Sequence, residues 1–225
     1  MIPERYQSRL SQFVDAEPNF ARPETLELLT EVFSSPIESQ HAEHSGWRID
    51  RYKHELLAEA PGAPVAGGPF EVACQILERY EFPDPGILTG MYLPEDPLEQ
   101  RVMLLKARFL VFTFWMGVRI GQIINETRNI QGEKIRVWGY SYYTLQGHFE
   151  MGEMTFEIWK YLSTGKVEFQ IHAFSKTGKI KNWFYRLGFF FFGRWVQVRF
   201  AKRALRRMAQ LVEERVTTPK MASAP

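Results

Sequence analysis

The stretch from Lys179 to Val216 contains no proline, so it predicts one long helix near the end of the chain. Gly188 and Gly193 lie inside this stretch, and each costs a helix about 1 kcal/mol relative to alanine. We therefore expect a kink or a break close to them. A helix in a protein gains most of its stability by burying one face against another element. The rest of the chain must supply that surface.

The segment before this helix has the alternation and composition of β-strands. The run from Leu104 to Met116 is mostly apolar, aromatic or β-branched, and it suits one central strand. Alternating residues predict further strands around 118–125, 135–143, 154–158 and 167–173, with a hairpin turn at 163–166. Four or five consecutive strands with short turns indicate an antiparallel meander. A sheet covered by the last helix is an α+β fold.

The N-terminal part of the chain differs in composition from the rest. Residues 61–69 hold three prolines and three glycines, which is typical of a linker. We therefore predict an N-terminal extension over residues 1–60, the main domain over 61–216 and a disordered tail over 217–225. A short helix is expected after Pro23 within the extension. Pro69 is expected to open an amphipathic helix that buries Cys74 as a small apolar residue.

Composition excludes several classes of protein. Apolar residues make up 45% of the chain and charged residues 24%, which are ordinary globular values. The single cysteine cannot form an internal disulfide. The first residues lack the apolar stretch of a signal peptide, and the run 187–193 is far shorter than the roughly 20 residues that span a bilayer. We expect a cytoplasmic protein, with attachment to the inner face of a membrane as an alternative.

One segment resembles a family signature. It runs from Tyr142 to Phe156 and reads YYTLQGHFEMGEMTF, and the later Ala173-Phe174-Ser175 and a pattern over 197–205 also match. The segment is similar to the uncharacterised family called domain of unknown function nineteen-ninety, or uncharacterised protein family five-four-eight. Tyr143, Phe149 and Met154 stand where that signature has glycine, proline and glutamate. The resemblance covers about residues 61–210.

The resemblance implies a fold of the helix-grip type. Such folds, found in START domains, pollen allergens and polyketide cyclases, hold a long C-terminal helix against a curved antiparallel sheet, with an apolar cavity between them. The resemblance therefore favours a non-catalytic module that binds an apolar or amphipathic small molecule. The ligand-binding candidates are aromatic residues of the predicted strands, which otherwise fill the core: Trp138, Tyr140, Tyr142, Phe156 and Phe169.

A polar group inside the signature offers a catalytic alternative. His148, Glu150 and Glu153 lie in a turn before a predicted strand, and an imidazole with two carboxylates can share acid–base chemistry. The same residues can also hold the loop in place through hydrogen bonds to its backbone. The sequence shows no nucleophile beside a base and no phosphate-binding glycine loop, and no metal or cofactor is expected.

The predicted last helix carries an unusual density of aromatic and basic residues. Residues 169–212 contain ten lysines or arginines and no aspartate or glutamate. Four consecutive phenylalanines cannot all face one sheet, so some must meet the extension, another protein or lipid. This composition favours a membrane or protein contact through 179–212, with candidate residues Phe189, Phe190, Phe191, Phe192, Arg194, Arg199 and Arg203. The alternative is a helix packed on the sheet and the extension, with arginine stems covering the remaining rings. The sequence shows no nucleic-acid-binding motif, so a nucleic acid is not the expected partner.

Overall fold

The structure is a computed structural model, and it describes residues 2–20, 41–44, 47–109, 112–146, 150–177 and 183–218. Within these ranges, side chains are described except those of residues 41–44, 109, 112, 150, 177 and 183–196. The helix expected after Pro23 lies outside the described residues.

The described residues form three α-helices and eight β-strands. The helices are α1 (Glu4–Val14), α2 (Pro69–Glu78) and α3 (Trp183–Thr217). The strands are β1 (His41–His44), β2 (Trp47–Glu55), β3 (Leu88–Met91), β4 (Val102–Phe109), β5 (Phe112–Ile130), β6 (Glu133–Thr144), β7 (Glu150–Tyr161) and β8 (Val167–Thr177). A short 3₁₀ helix, Leu98–Gln100, precedes β4.

All eight strands belong to one antiparallel sheet, in the order β1-β2-β8-β7-β6-β5-β4-β3. Strands β3 to β8 follow one another as a meander, and the pairing of β2 with β8 joins the two distant parts of the chain. A register shift between Ile120 and Ile123 of β5 adds to the curvature of the sheet. The predicted α+β fold, a curved antiparallel sheet packed on a long C-terminal helix, is confirmed.

The apolar run 104–116 is not one strand, and that prediction is wrong. Strand β4 ends at Phe109 and β5 begins at Phe112, and these two residues are paired in the ladder. A tight turn between strands normally shows glycine, asparagine or aspartate in the sequence. The sequence has none of these residues between Phe109 and Phe112, so its pattern predicts one continuous strand.

The residues before position 60 contribute to the sheet. Strand β2 pairs along its length with β8, from Arg48 opposite Ser175 to Glu55 opposite Glu168. The division at residue 60 therefore does not follow the sheet, because β1 and β2 lie on its amino-terminal side. Helix α1 packs on the outer face of the sheet, which is the face turned away from α3. On this outer face Leu10 of α1 is buried beside Leu104 and Tyr143.

The main core lies between the inner face of the sheet and α3. Helix α3 buries residues three to four positions apart, which is the spacing of one helix face: Phe200, Ala204, Leu205, Met208 and Val212. Helix α2 buries Phe70, Ala73, Ile76 and Leu77 in the same core. Cys74 is partly buried against it, as expected, and burial raises the pKa of its thiol. Helix α3 continues through Gly188 and Gly193, so the expected break is absent from its described backbone.

Candidate functional site

A cavity of about 70 Å³ lies between α3 and one end of the sheet. Its sheet wall comes from β2, β6, β7 and β8, and its helix wall comes from Gln197, Phe200 and Ala201 of α3. The strand register explains the sheet wall. Asp50, Ala173, Met154 and Tyr142 face one another across neighbouring strands, so they form one row of inward-facing side chains. We call this row the cavity row.

Small residues leave the space open. Ala173 on the sheet and Ala201 on the helix both line the cavity, and neither reaches far into it. Gly152 lies one row nearer the end of the sheet, opposite Ser175. A Cβ atom at Gly152 would lie 2.1 Å from the carbonyl oxygen of Phe174, so no other residue fits there without moving a strand. The cavity therefore follows from side-chain sizes on elements that are distant in the sequence.

The wall is mostly apolar, with polar groups at one side. Tyr52, Tyr142, Met154, Ile171 and Phe200 supply the apolar surface. Asp50, Thr144, Ser175 and Gln197 supply polar groups. The Thr144 hydroxyl accepts a hydrogen bond from the Gly152 amide at 2.9 Å and lies 2.7 Å from the Asn19 side-chain oxygen. Such a wall suits a molecule with an apolar body and a polar group.

The predicted ligand-binding residues all lie on the inner face, but at different depths. Tyr142 belongs to the cavity row and lines the cavity. Tyr140 and Phe156 lie one row deeper and are fully buried, with ring centres 5.9 Å apart. Phe169 and the partly buried Trp138 lie in the row beyond that. The structure thus brings the five together as one aromatic cluster and places only Tyr142 at the cavity.

Tyr80 joins this cluster from the turn after α2. Its ring centre lies 6.4 Å from those of both Tyr142 and Phe156. Its backbone has a φ of +55°, a left-handed conformation that costs a non-glycine residue on the order of 1 kcal/mol. The ring lies over Gly90, where a Cβ atom would come within 2.4 Å of it. Burial raises the pKa of Tyr80 well above its ordinary value, so the hydroxyl stays protonated.

Several lining residues were not predicted from the sequence. Asp50 and Tyr52 belong to a polar segment that the sequence assigned to the extension. Gln197, Phe200 and Ala201 lie in the predicted helix, but the helical pattern does not show which of its residues meet the sheet end. The match of residues 197–205 to the family signature was the one available signal for them.

The structure only partly describes the predicted catalytic group. His148 lies outside the described residues, and Glu150 begins β7 with its side chain also outside them. Glu153 is buried and faces away from Met154, in register with Tyr143 and Phe174 on the outer face. Among the described residues, no three histidine, cysteine, aspartate or glutamate side chains are placed to hold a metal ion.

A buried polar cluster occupies the outer face near the middle of the sheet. The Glu157 carboxylate accepts hydrogen bonds from the Arg128 guanidinium at 2.9 and 3.2 Å and from the Trp159 indole at 2.6 Å. Nε2 of His172 lies 3.7 Å from the same carboxylate. Burial lowers the pKa of His172 to about 4, despite the opposing effect of Glu157. The imidazole is therefore neutral at pH 7.

The predicted contact residues of α3 divide into two groups. Phe189 to Phe192 and Arg194 lie in the first part of the helix, where side chains are not described. Arg199 and Arg203 are exposed, and Arg203 forms an ion pair of 2.6 Å with Asp84. Arg215 pairs with Glu81, so two arginines tie α3 to the segment after α2. No helix among the described residues has an apolar stretch long enough to cross a bilayer.

Comparisons with solved structures found chains similar to this one at low sequence identity. This chain is similar to the crystal structure of Ara h 8.0201, with 10% identity and a TM-score of 0.42, over 76% of this chain and 99% of the other. It is similar to a point mutant of Thalictrum flavum norcoclaurine synthase bound to a transition-state analogue, with 10% identity and a TM-score of 0.45, over 78% and 98%. Human STARD10 matches with 9% identity and a TM-score of 0.38, over 90% and 84%.

A search of curated proteins found no match. The family described as "Domain of unknown function (DUF1990)" matches residues 34–207, so the match begins well before the residue 61 expected from the sequence. That range includes β1, β2 and the whole cavity row. The chain therefore belongs to the DUF1990 family.

Proposed function

We propose that this domain binds an apolar or amphipathic small molecule in the cavity between the sheet end and α3. The observation that carries the proposal is the wall itself. Aromatic and aliphatic side chains from four strands and one helix face one space, with an Asp50 carboxylate and the Thr144 and Ser175 hydroxyls beside them. Binding sites for small molecules combine a mostly apolar wall with a few polar groups that orient the ligand.

The volume of the cavity sets a condition on binding. About 70 Å³ holds only a few water molecules, whereas typical ligand sites measure roughly 300–1,000 Å³. A ligand must therefore displace part of the wall. Residues 204–212 of α3 are packed in the core and Arg203 is tied to Asp84, so we expect the segment around Phe200 and Ala201 to move outward.

Filling the cavity tests the proposal. We expect native mass spectrometry of protein purified from its own host to show a bound small molecule. The double variant Ala173→Leu/Ala201→Leu, which places larger side chains on both walls, should lose it. It should also bind a naphthalene sulfonate dye at least tenfold more weakly than the unmodified protein.

Ala209→Leu is the matched control, because Ala209 lies two turns further along α3 and does not line the cavity. It should bind both molecules as the unmodified protein does. If the double variant remains folded by circular dichroism and binds both molecules unchanged, the cavity is not the binding site.

The sequence also offers a catalytic alternative and an alternative in which the domain contacts a membrane or a protein. A catalytic use of His148, Glu150 and Glu153 stays a prediction: Glu153 borders the cavity, whereas His148 and the side chain of Glu150 lie outside the described residues. A membrane or protein contact through residues 179–212 is supported by the position of the first part of α3, which extends beyond the cavity from Gln197 back to Trp183.

A further inference from the structure

Two segments extend past the end of the sheet that holds the cavity. Strand β5 first pairs with β6 where Val118 meets Thr144, so residues 112–117 reach about 20 Å beyond that pair at ~3.3 Å per residue. Helix α3 first lines the cavity at Gln197 but begins at Trp183. At 1.5 Å per residue, its first part leads about 21 Å away from the cavity. We call this end of the molecule the cavity end. It comprises the β4–β5 hairpin and residues 183–196 of α3.

Both segments have the same unusual composition. The hairpin reads FLVFTFWM over residues 109–116, and the helix reads WFYRLGFFFFGRW over 183–195. Neither residues 101–125 nor residues 169–212 contain an aspartate or a glutamate, although both stretches contain several basic residues. The fold therefore brings two aromatic, acid-free parts of the chain to one end of the molecule.

The described side chains of the hairpin combine rings with cations. Trp115 is partly exposed, and its ring centre lies 5.3 Å from the Lys106 ammonium and 5.0 Å from the Arg9 guanidinium. Arg108 is exposed at the same hairpin, and Met116 is partly exposed. Tryptophan beside lysine and arginine is the composition of protein surfaces that lie at the boundary between lipid headgroups and acyl chains.

We propose that the cavity end docks on an anionic lipid bilayer, with the hairpin and residues 183–196 as the contacting segments. The basic residues match the negative charge of such a surface, which attracts Lys and Arg side chains near it. Consecutive phenylalanines suit the boundary between lipid headgroups and acyl chains better than they suit a nucleic acid. A protein that binds single-stranded nucleic acid needs a positively charged groove that follows the phosphate backbone. The cavity lies at the end of the sheet from which both docking segments extend. If the proposed ligand binding also holds, an apolar ligand enters the cavity from the membrane side.

Vesicle co-sedimentation tests the docking. We use phosphatidylcholine vesicles with and without 30% phosphatidylglycerol, at low and at high salt. We expect binding to the anionic vesicles at low salt, at least tenfold weaker binding at high salt, and little binding to the neutral vesicles, because exposed charges are screened. Absence of binding to anionic vesicles at low salt would overturn the proposal.

Two variants locate the contact. Phe190→Ser/Phe191→Ser should weaken vesicle binding at least tenfold, because it removes apolar side chains from the helix. Arg108→Glu should weaken it about fivefold or more. Lys134→Glu is the matched control, since it makes the same charge change at an exposed residue at the opposite end of β6, and it should alter binding by less than about twofold.

Three further outcomes test whether the cavity end is the membrane-binding surface. Equal binding by folded Arg108→Glu and Lys134→Glu proteins means that net charge, and not the cavity end, controls binding, and the proposal fails. The double phenylalanine variant is also tested for loss of a dimer by light scattering and for loss of binding to single-stranded DNA. If either is lost while vesicle binding is unchanged, the surface binds that partner and the membrane proposal fails. The cavity-filling variant Ala173→Leu/Ala201→Leu should still bind vesicles, which separates this proposal from the proposed ligand binding.

Discussion

The Lys160 ammonium donates a hydrogen bond across 2.5 Å to the Glu59 carboxylate, and neither side chain is more than 3% exposed. The ammonium also donates to the carbonyl oxygens of Ala60 and Ala63. The carboxylate accepts from the amides of Val65 and Phe70. This buried pair therefore fixes the loop of residues 60–69 and the start of α2 onto β7.

Removal of one partner should strongly destabilise the protein. Lys160→Met leaves the Glu59 carboxylate buried without its cation, so we expect a loss of about 3–5 kcal/mol in the free energy of unfolding by urea. Lys160→Met/Glu59→Gln should recover part of that loss. Lys166→Met is the control, because the Lys166 pairs with Glu55 and Glu168 are partly exposed, and it should cost less than about 1 kcal/mol. Equal effects of the two single variants would contradict this role.

His172 should make stability depend on pH. Its folded pKa of about 4 lies below the ordinary value of 6.5, so the unfolded chain binds a proton more readily between these two values. The contribution of His172 to the free energy of unfolding is fully present above pH 6.5 and decreases as the pH falls towards 4. Below pH 4 it does not change further. Between pH 7 and pH 5 the loss is about 2 kcal/mol. His172→Gln should remove that part of the difference in urea unfolding, and an unchanged pH dependence would be inconsistent with a buried neutral imidazole.

Gly139 should tolerate no side chain. A Cβ atom there would lie 2.0 Å from the Phe156 carbonyl oxygen and 2.9 Å from Cα of Glu157, and both contacts are with backbone. We expect Gly139→Ala to cost roughly 3 kcal/mol or more, because strands β6 and β7 must separate. Gly132→Asn is the comparison, since a Cβ atom at Gly132 would meet no other atom within 4 Å and asparagine tolerates its φ of +84°. Thermal unfolding of both variants measures the difference.

Two tyrosines allow a matched test of burial. The Tyr140 hydroxyl donates to the Leu77 carbonyl at 3.0 Å within the core, whereas the Tyr92 hydroxyl makes a similar bond of 3.1 Å to the Arg79 carbonyl nearer the surface. Tyr140→Phe should cost about 1–3 kcal/mol, because the buried carbonyl then lacks a donor. Water can replace the hydroxyl in Tyr92→Phe, so its cost should be smaller. Equal unfolding free energies for the two variants would argue against a buried link between β6 and α2.

The sequence predicted the elements whose local pattern is complete. Residues alternate clearly in β6, β7 and β8, and Gly165, with a φ of +75°, marks the turn before β8. That turn is closed by the Lys166 carbonyl, which accepts from the Tyr161 amide at 2.9 Å. Alternation along β6 places Tyr143 on the opposite face from Tyr140 and Tyr142, and Tyr143 packs in the outer cluster.

The remaining features depend on contacts between distant residues. Strand β2 is polar along much of its length, and only its pairing with β8 makes it a strand of the sheet. Helix α1 presents Tyr6, Leu10 and Phe13 at helical spacing, but the surface that receives them comes from β4, β5 and β6. The cavity is lined by both Ala173 of β8 and Ala201 of α3, and no local pattern in the sequence records that relationship.

The position of α1 limits how far this protein can be shortened. The family match spans residues 34–207, yet Leu10 and Phe13 lie before it and Met208 and Val212 lie after it. A fragment cut at those boundaries would expose the Leu104 side of the sheet and remove a turn of α3 from the core. The smallest piece of this chain that covers its own apolar surface is therefore longer than the segment its relatives share, and a fragment of residues 34–207 should aggregate where the full chain stays monodisperse.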